Sequence, residues 1–242
     1  MLKELQDSIL SIVYPQECRA CSGFVENTVD GVACRNCWDA TRIFNGTEML
    51  CDKCGAFFGD TAAPVRVFCH KCDDHHYDKA AAIGIYKKAL SASIINLKTV
   101  PVIAQCIKKA IPPALNIAGF GAVDVIVPIP LSRQRKLERG FNQAEIIAEI
   151  VSRSLRIPID SASLVRKLHT PIHRIAMDKR ARELTVKNAF DVVRPKLIDG
   201  KNILLIDDVF TSGATASYCA KILKKNGASK VNIFTLARAV MD

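Results

Sequence analysis

The fold of this 242-residue chain turns on one stretch, Ile203-Leu204-Leu205-Ile206-Asp207-Asp208-Val209-Phe210-Thr211-Ser212-Gly213-Ala214-Thr215. Four uninterrupted aliphatics suit a strand buried on both faces. Two adjacent acids follow, then a short turn rich in hydroxyls, then helical periodicity over 215–225 that Asn226-Gly227 closes as a C-terminal cap. Such a turn aims several backbone N–H groups and the positive end of a helix at one spot, which makes a phosphate cradle over 211–215. Gly213 allows close backbone approach, Thr211, Ser212 and Thr215 add hydroxyl donors, and Ala214 lies within the same turn. Carboxylates beside a phosphate repel it, so Asp207 and Asp208 read instead as active-site acids for sugar hydroxyls and Mg²⁺.

Outward from that stretch, residues 79–242 alternate short apolar runs with helical periodicity. That is the pattern of a largely parallel sheet with crossover helices, so the expected fold class is α/β. Strands are expected over 80–86, 123–127, 201–206 and 231–237, and helices over 90–97, 102–111 and 142–155. The second helix is expected to stop at Pro112-Pro113, because each proline removes an N–H and crowds the preceding turn. Arg133, Arg135, Lys136 and Arg139 read as a basic loop whose guanidinium groups suit phosphate oxygens. Cys106 and Cys219 fall on apolar helix faces and read as small buried residues rather than nucleophiles.

Residues 16–78 have a different texture. Eight of the ten cysteines form four C-x2-C pairs, Cys18/Cys21, Cys34/Cys37, Cys51/Cys54 and Cys69/Cys72. Each knuckle presents two thiolates on a tight turn, and two knuckles complete a tetrahedron, so a double zinc ribbon with two structural Zn²⁺ is expected. Pairing first with second and third with fourth is favoured, with interleaved or nested pairing as the alternative. Gly23 and Gly55, just past the first and third knuckles, are expected to close the turns in the left-handed conformation. His70, His75 and His76 read as exposed side chains on a polar loop.

Charge divides the same way. Residues 1–78 carry 7 Lys/Arg against 12 Asp/Glu, and the remainder 27 against 12, so the second half is the one expected to meet an anion. Residues 1–15 read as an amphipathic helix with Leu2, Leu5, Ile9 and Ile12 on one face, lacking the pattern of a signal peptide. No apolar run reaches the ~18 residues of a membrane span, so no membrane insertion and a cytoplasmic location are expected.

With these residues in view, 203–215 resembles the signature of the type I phosphoribosyltransferases. Val127-Pro128-Ile129-Pro130-Leu131, followed by Arg133, Arg135 and Arg139-Gly140-Phe141-Asn142-Gln143, narrows the resemblance. With the cysteine knuckles and Val186-Lys187-Asn188-Ala189-Phe190, the chain is similar over nearly its whole length to the ComF family, associated with bacterial competence and DNA uptake. The resemblance implies a phosphoribosyltransferase-like domain over 79–242, a Rossmann-like parallel sheet that binds 5-phosphoribosyl-1-diphosphate (PRPP) with Mg²⁺. It implies that 211–215 hold the ribose 5-phosphate, Asp207 and Asp208 the ribose hydroxyls and Mg²⁺, and Arg133, Arg135 and Arg139 the diphosphate. The basic segment 166–187, with Arg182, then corresponds to a loop that closes over substrate. Within that segment His173 and Thr185 depart from the family's pattern, and Thr211 stands where purine-specific relatives place an acid. The implied reaction is phosphoribosyl transfer with release of diphosphate, and the implied protein partners are competence proteins. A reading from another class makes the basic surface a non-catalytic module that binds single-stranded DNA or senses PRPP. Aromatic residues, at 6% with Trp38 in the ribbon, weigh against a strong stacking platform.

Overall fold

The computed structural model describes residues 15–61, 66–167 and 189–240. The helix expected over 1–15 lies, but for its last residue, outside the described residues. So does the basic segment beyond Lys167, including Thr170, His173, Arg182 and Thr185.

The cysteine-rich part holds a five-residue helix, α1 (Arg35–Asp39), and a two-stranded antiparallel ribbon of β1 (Glu48–Leu50) and β2 (Phe57–Asp60). Four parallel strands follow, β3 (Lys79–Ile85), β4 (Val125–Pro128), β7 (Asn202–Phe210) and β8 (Lys230–Arg238), in the order β3-β8-β7-β4. Beside β4, Ile126 adds a parallel bridge to Ile159. A small antiparallel hairpin, β5 (Leu164–Arg166) with β6 (Phe190–Val192), interrupts the series.

Both faces of the sheet are covered, which is why its strands read as continuous apolar runs. On one face α2 (Lys88–Asn96), α3 (Gln105–Ala118) and α5 (Gln143–Leu155) bury Leu90, Ile94, Ile107, Ile111, Ile147 and Val151 against Leu204, Ile206, Phe234 and Leu236. On the other, α6 (Ala214–Lys225), the β5–β6 hairpin and the second cysteine cluster enclose Ile203, Leu205, Val231 and Ile233. The cysteine-rich part also closes the free edge of β3: Phe44 N–H donates to Ile83 O (2.8 Å) and Ile85 N–H to Arg42 O (3.0 Å).

Three expectations about elements are corrected. Helix α3 runs straight through Pro112 and Pro113, both exposed, because its apolar stripe Ile107, Ile111, Ala114, Leu115 and Ala118 continues past them. The cost of two lost hydrogen bonds falls on Lys108 and Lys109, whose residues are open to water. The basic stretch after Pro130 is not a loop but a helix, α4 (Arg133–Arg139), started by Ser132, whose side chain accepts from Arg135 N–H, and ended at Gly140. Strand β7 does not end before the acids. It carries Asp207 opposite Thr235 and continues to Phe210 opposite Arg238.

Candidate functional site

Two clusters gather all eight knuckle cysteines, Cys18, Cys21, Cys34 and Cys37 in one and Cys51, Cys54, Cys69 and Cys72 in the other, so knuckles pair sequentially. Tetrahedral Zn–S bonds of about 2.3 Å place sulfurs about 3.8 Å apart. Here Cys18 and Cys37 lie 3.8 Å apart, Cys21 and Cys34 3.6 Å, Cys51 and Cys72 3.7 Å, and Cys54 and Cys69 3.4 Å. The first thiol of each cluster also accepts backbone N–H bonds, Cys18 from Ala20 and Cys34 and Cys51 from Cys69, as a sulfur carrying negative charge requires. The donor sets therefore fit two zinc ions whose four-sulfur shells leave no position for a substrate. In each N-terminal knuckle the left-handed residue directly follows the second cysteine: Gly55 as expected, but Ser22 rather than Gly23. Its N–H closes the turn onto Cys18 O and Cys51 O respectively.

At the carboxyl end of the sheet, where β7 passes into α6, the acids and the turn come together. One hollow is lined by Asp207, Thr211, Gly213 and Thr215 with Val209 and Thr235. A neighbouring cavity of about 200 Å³ joins Asp207, Asp208 and Thr215 to Arg135, Arg139, Lys98 and Arg166. Gly213 is the N-cap of α6 at φ +77°, a left-handed position that sends the chain over the hollow and into the helix. The N–H groups of the first helical turn face that end.

The carboxyl groups are pinned locally. Asp208 N–H donates to Asp207 Oδ1 (2.9 Å) and Val209 N–H to Asp208 Oδ1 (2.7 Å). Burial first, and the adjacent Asp208 carboxylate second, push Asp207 up to about 8. Both causes favour the protonated carboxyl, and an arriving positive charge favours its ionised form. On the opposite wall, burial and then the Arg139 charge lower the Arg135 guanidinium's pKa. Arg139 is oriented by a 2.9 Å bond from Nη1 to Gln143 Oε1. Asn142, 3% exposed, fixes the loop between β4 and α4: its Nδ2 donates to Ile129 O while its Oδ1 accepts from Ala144 N–H.

Some expected residues stand elsewhere. A helix turns about 100° per residue, so Arg135 and Arg139, four apart, share a face and Arg133 points away from it. Arg133 is exposed and lines neither cavity. Ser212 and Ala214 do not line these cavities either; Ser212 Oγ accepts from Ala214 N–H at 3.4 Å. Cys106 is half-buried, with Sγ 3.9 Å from Asp30 O, and Cys219 is fully buried. His75 is no loose surface side chain: its Nδ1 lies 2.6 Å from Tyr77 Oη. In the sequence Arg166 only opens a basic segment. It sits at the end of β5 with its guanidinium 5.2 Å over the Phe190 ring, and its charge acts on Asp207. Nothing in the sequence around Arg166 or Lys98 announces this convergence, because each is brought in by a different element.

The double zinc ribbon domain matches residues 9–74. DNA utilization protein YhgH of Escherichia coli (strain K12) is 28% identical over 86% of this chain and 90% of its own. Competence protein F of Haemophilus influenzae is 28% identical over 92% and 96%. Competence protein ComFC of Bacillus subtilis (strain 168) is 37% identical over a shorter stretch, 48% of this chain and 45% of its own. Among solved structures, the allosteric regulatory enzyme of purine biosynthesis superposes on 74% of this chain with a TM-score of 0.36 at 18% identity, and this chain spans 32% of that enzyme's length. The chain is thus similar to competence protein F, ComFC and YhgH, with a double zinc ribbon match ahead of a parallel-sheet α/β unit.

Proposed function

We propose that the chain binds PRPP with Mg²⁺ at the carboxyl end of its sheet and can transfer the phosphoribosyl group with release of diphosphate. One observation carries the reading: the acid pair and Thr215 line one cavity with Arg135 and Arg139, and Asp207 and Thr215 also line the adjoining hollow of Thr211 and Gly213. A sugar carrying a phosphate at one end and a diphosphate at the other matches that order of cation, acid and N–H donors. In this reading Thr211, Gly213 and Thr215 hold the 5-phosphate, Asp207 and Asp208 hold the ribose hydroxyls and Mg²⁺, and Arg135 and Arg139 hold the diphosphate. Bound Mg²⁺ would neutralise the departing diphosphate. The chain's own part is to orient the anomeric carbon and to meet the positive charge that develops on the ribose ring with the Asp207/Asp208 pair.

The reading treats 16–78 as a ribbon domain and 79–242 as the phosphoribosyltransferase-like domain, and places the protein in the cytoplasm, where eight thiolates stay reduced and metal-bound. No helix among the described residues is long and apolar enough to cross a membrane. The relatives' names, which refer to competence and DNA utilization, support a role beside DNA uptake with competence proteins as partners.

Calorimetric titration with PRPP and Mg²⁺, alongside an assay for diphosphate release, tests the proposal. Asp207→Asn with Asp208→Asn should weaken binding about ten- to a hundredfold per lost charge-assisted contact while the fold survives. Unchanged affinity in the double variant would remove the acids from the site. Tight, salt-dependent binding of single-stranded DNA without any PRPP affinity would favour the non-catalytic module instead.

A further inference from the structure

The second cysteine cluster is connected to the phosphate turn by a continuous set of buried contacts. Arg238, at the end of β8 and 8% exposed, donates through Nη1 to Cys54 O and through Nη2 to Cys54 Sγ at 3.4 Å. Its guanidinium carbon lies over the Phe210 ring, 4.5 Å from the centroid. Phe210, 4% exposed, also receives the edge of Tyr77 at 5.7 Å, and Tyr77 in turn holds His75. The far rim of Phe210 supports the turn: a Cβ placed on Gly213 would come within 2.5 Å of Phe210 Cζ and 3.0 Å of His75 Cε1. From the same side His76 N–H donates to Ser217 Oγ in the first turn of α6 (3.0 Å).

A buried guanidinium stays in place only with anionic or carbonyl partners. Here Cys54 supplies both, and the guanidinium carbon sits over the Phe210 ring. We infer that Arg238 and Phe210 are positioning residues that fasten the 211–215 turn to the second cysteine cluster, so that this ribbon sets the affinity of the phosphate subsite. The inference rests on the reading of 211–215 as the ribose 5-phosphate site. It assigns the two clusters different work. The first packs on Ala89 and Trp38, away from the turn, whereas the second underlies the turn itself.

The test uses two probes on the full-length, zinc-loaded protein: ribose 5-phosphate for the turn, and magnesium diphosphate for the Arg135/Arg139 wall. Arg238→Met and, separately, Phe210→Leu should lower ribose 5-phosphate affinity about tenfold and leave diphosphate affinity unchanged. Arg238→Lys, which keeps the charge but loses the planar fork, should fall in between. Metal analysis and thermal unfolding accompany each variant, and Phe210→Leu carries the test if Arg238→Met releases zinc. Wild-type affinity for ribose 5-phosphate in zinc-loaded Phe210→Leu would overturn the inference alone. Equal loss of both probes would also overturn it, since the effect would then be general. A wild-type protein that binds neither probe would overturn the phosphate-site reading, and the inference with it.

Discussion

Asp207 sets the cost of folding against the role proposed for the site in one carboxyl group. Its ordinary value in an unfolded chain is about 3.9. In the fold, burial and Asp208 push it up to about 8. Between those values the folded state holds a proton that the unfolded state has released, so this group costs stability progressively as pH rises from about 4 to about 8, and the cost is complete above that. Asp207→Asn removes the penalty without changing shape. In zinc-loaded protein without Mg²⁺ it should therefore raise stability little near pH 4 and by roughly 1–3 kcal/mol at pH 9, a gain of several degrees in Tm. Parallel thermal melts at the two pH values check this, and a gain that shrinks toward high pH would contradict it. The acid pair and the Thr211, Gly213 and Thr215 turn were legible in the sequence because they are contiguous and their chemistry is local. Arg166 and Lys98 were not, since each enters the cavity from a separate element.

At the scale of elements, the apolar stripe decided against local propensity. Pro112-Pro113 reads as a stop, yet the helix from Gln105 to Ala118 continues because Ile111, Ala114 and Leu115 bury on the same face as Ile107. Proline in a helix interior costs about 3 kcal/mol relative to alanine, reduced here by exposed carbonyls that water satisfies and by the stiffer unfolded chain. Pro112→Ala with Pro113→Ala should thus stabilise the protein by about 1–2 kcal/mol, read as a higher urea midpoint with an unchanged slope. A lower midpoint would mean that the prolines set a bend on which the packing of α3 depends. The basic stretch shows the opposite case. Ser132 and Gly140 are an ordinary N-cap and an ordinary C-terminal glycine, and these caps define α4. Once the helix is seen, its period separates Arg135 and Arg139 from Arg133.

For the whole molecule, the ribbons are part of the α/β unit's own structure. The second cluster belongs to the same apolar core as Ile203, Leu205 and Ile233, and residues 42–44 cover the edge of β3. Elemental analysis should find two zinc ions per chain, one for each cluster. Stripping them with a chelator should do more than unfold 16–78. The amides of Phe44 and Ile85, which bond across the junction, should lose protection from hydrogen exchange, and the exposed sheet edge should promote self-association. Retained protection at Ile85 in stripped protein would show that the sheet closes its edge without the ribbons. The sequence by itself determined the four knuckles, the strand-acid-turn-helix unit and the alternation that makes a parallel sheet, because cysteine spacing, buried aliphatic runs and turn chemistry act between near neighbours in the chain. Only the tertiary structure decided that knuckles pair sequentially, that two of the three arginines of α4 face the acids, and that Arg238 ties Cys54 to Phe210. Those contacts join residues far apart in the chain, and they exist only once the sheet has aligned the ends of its strands.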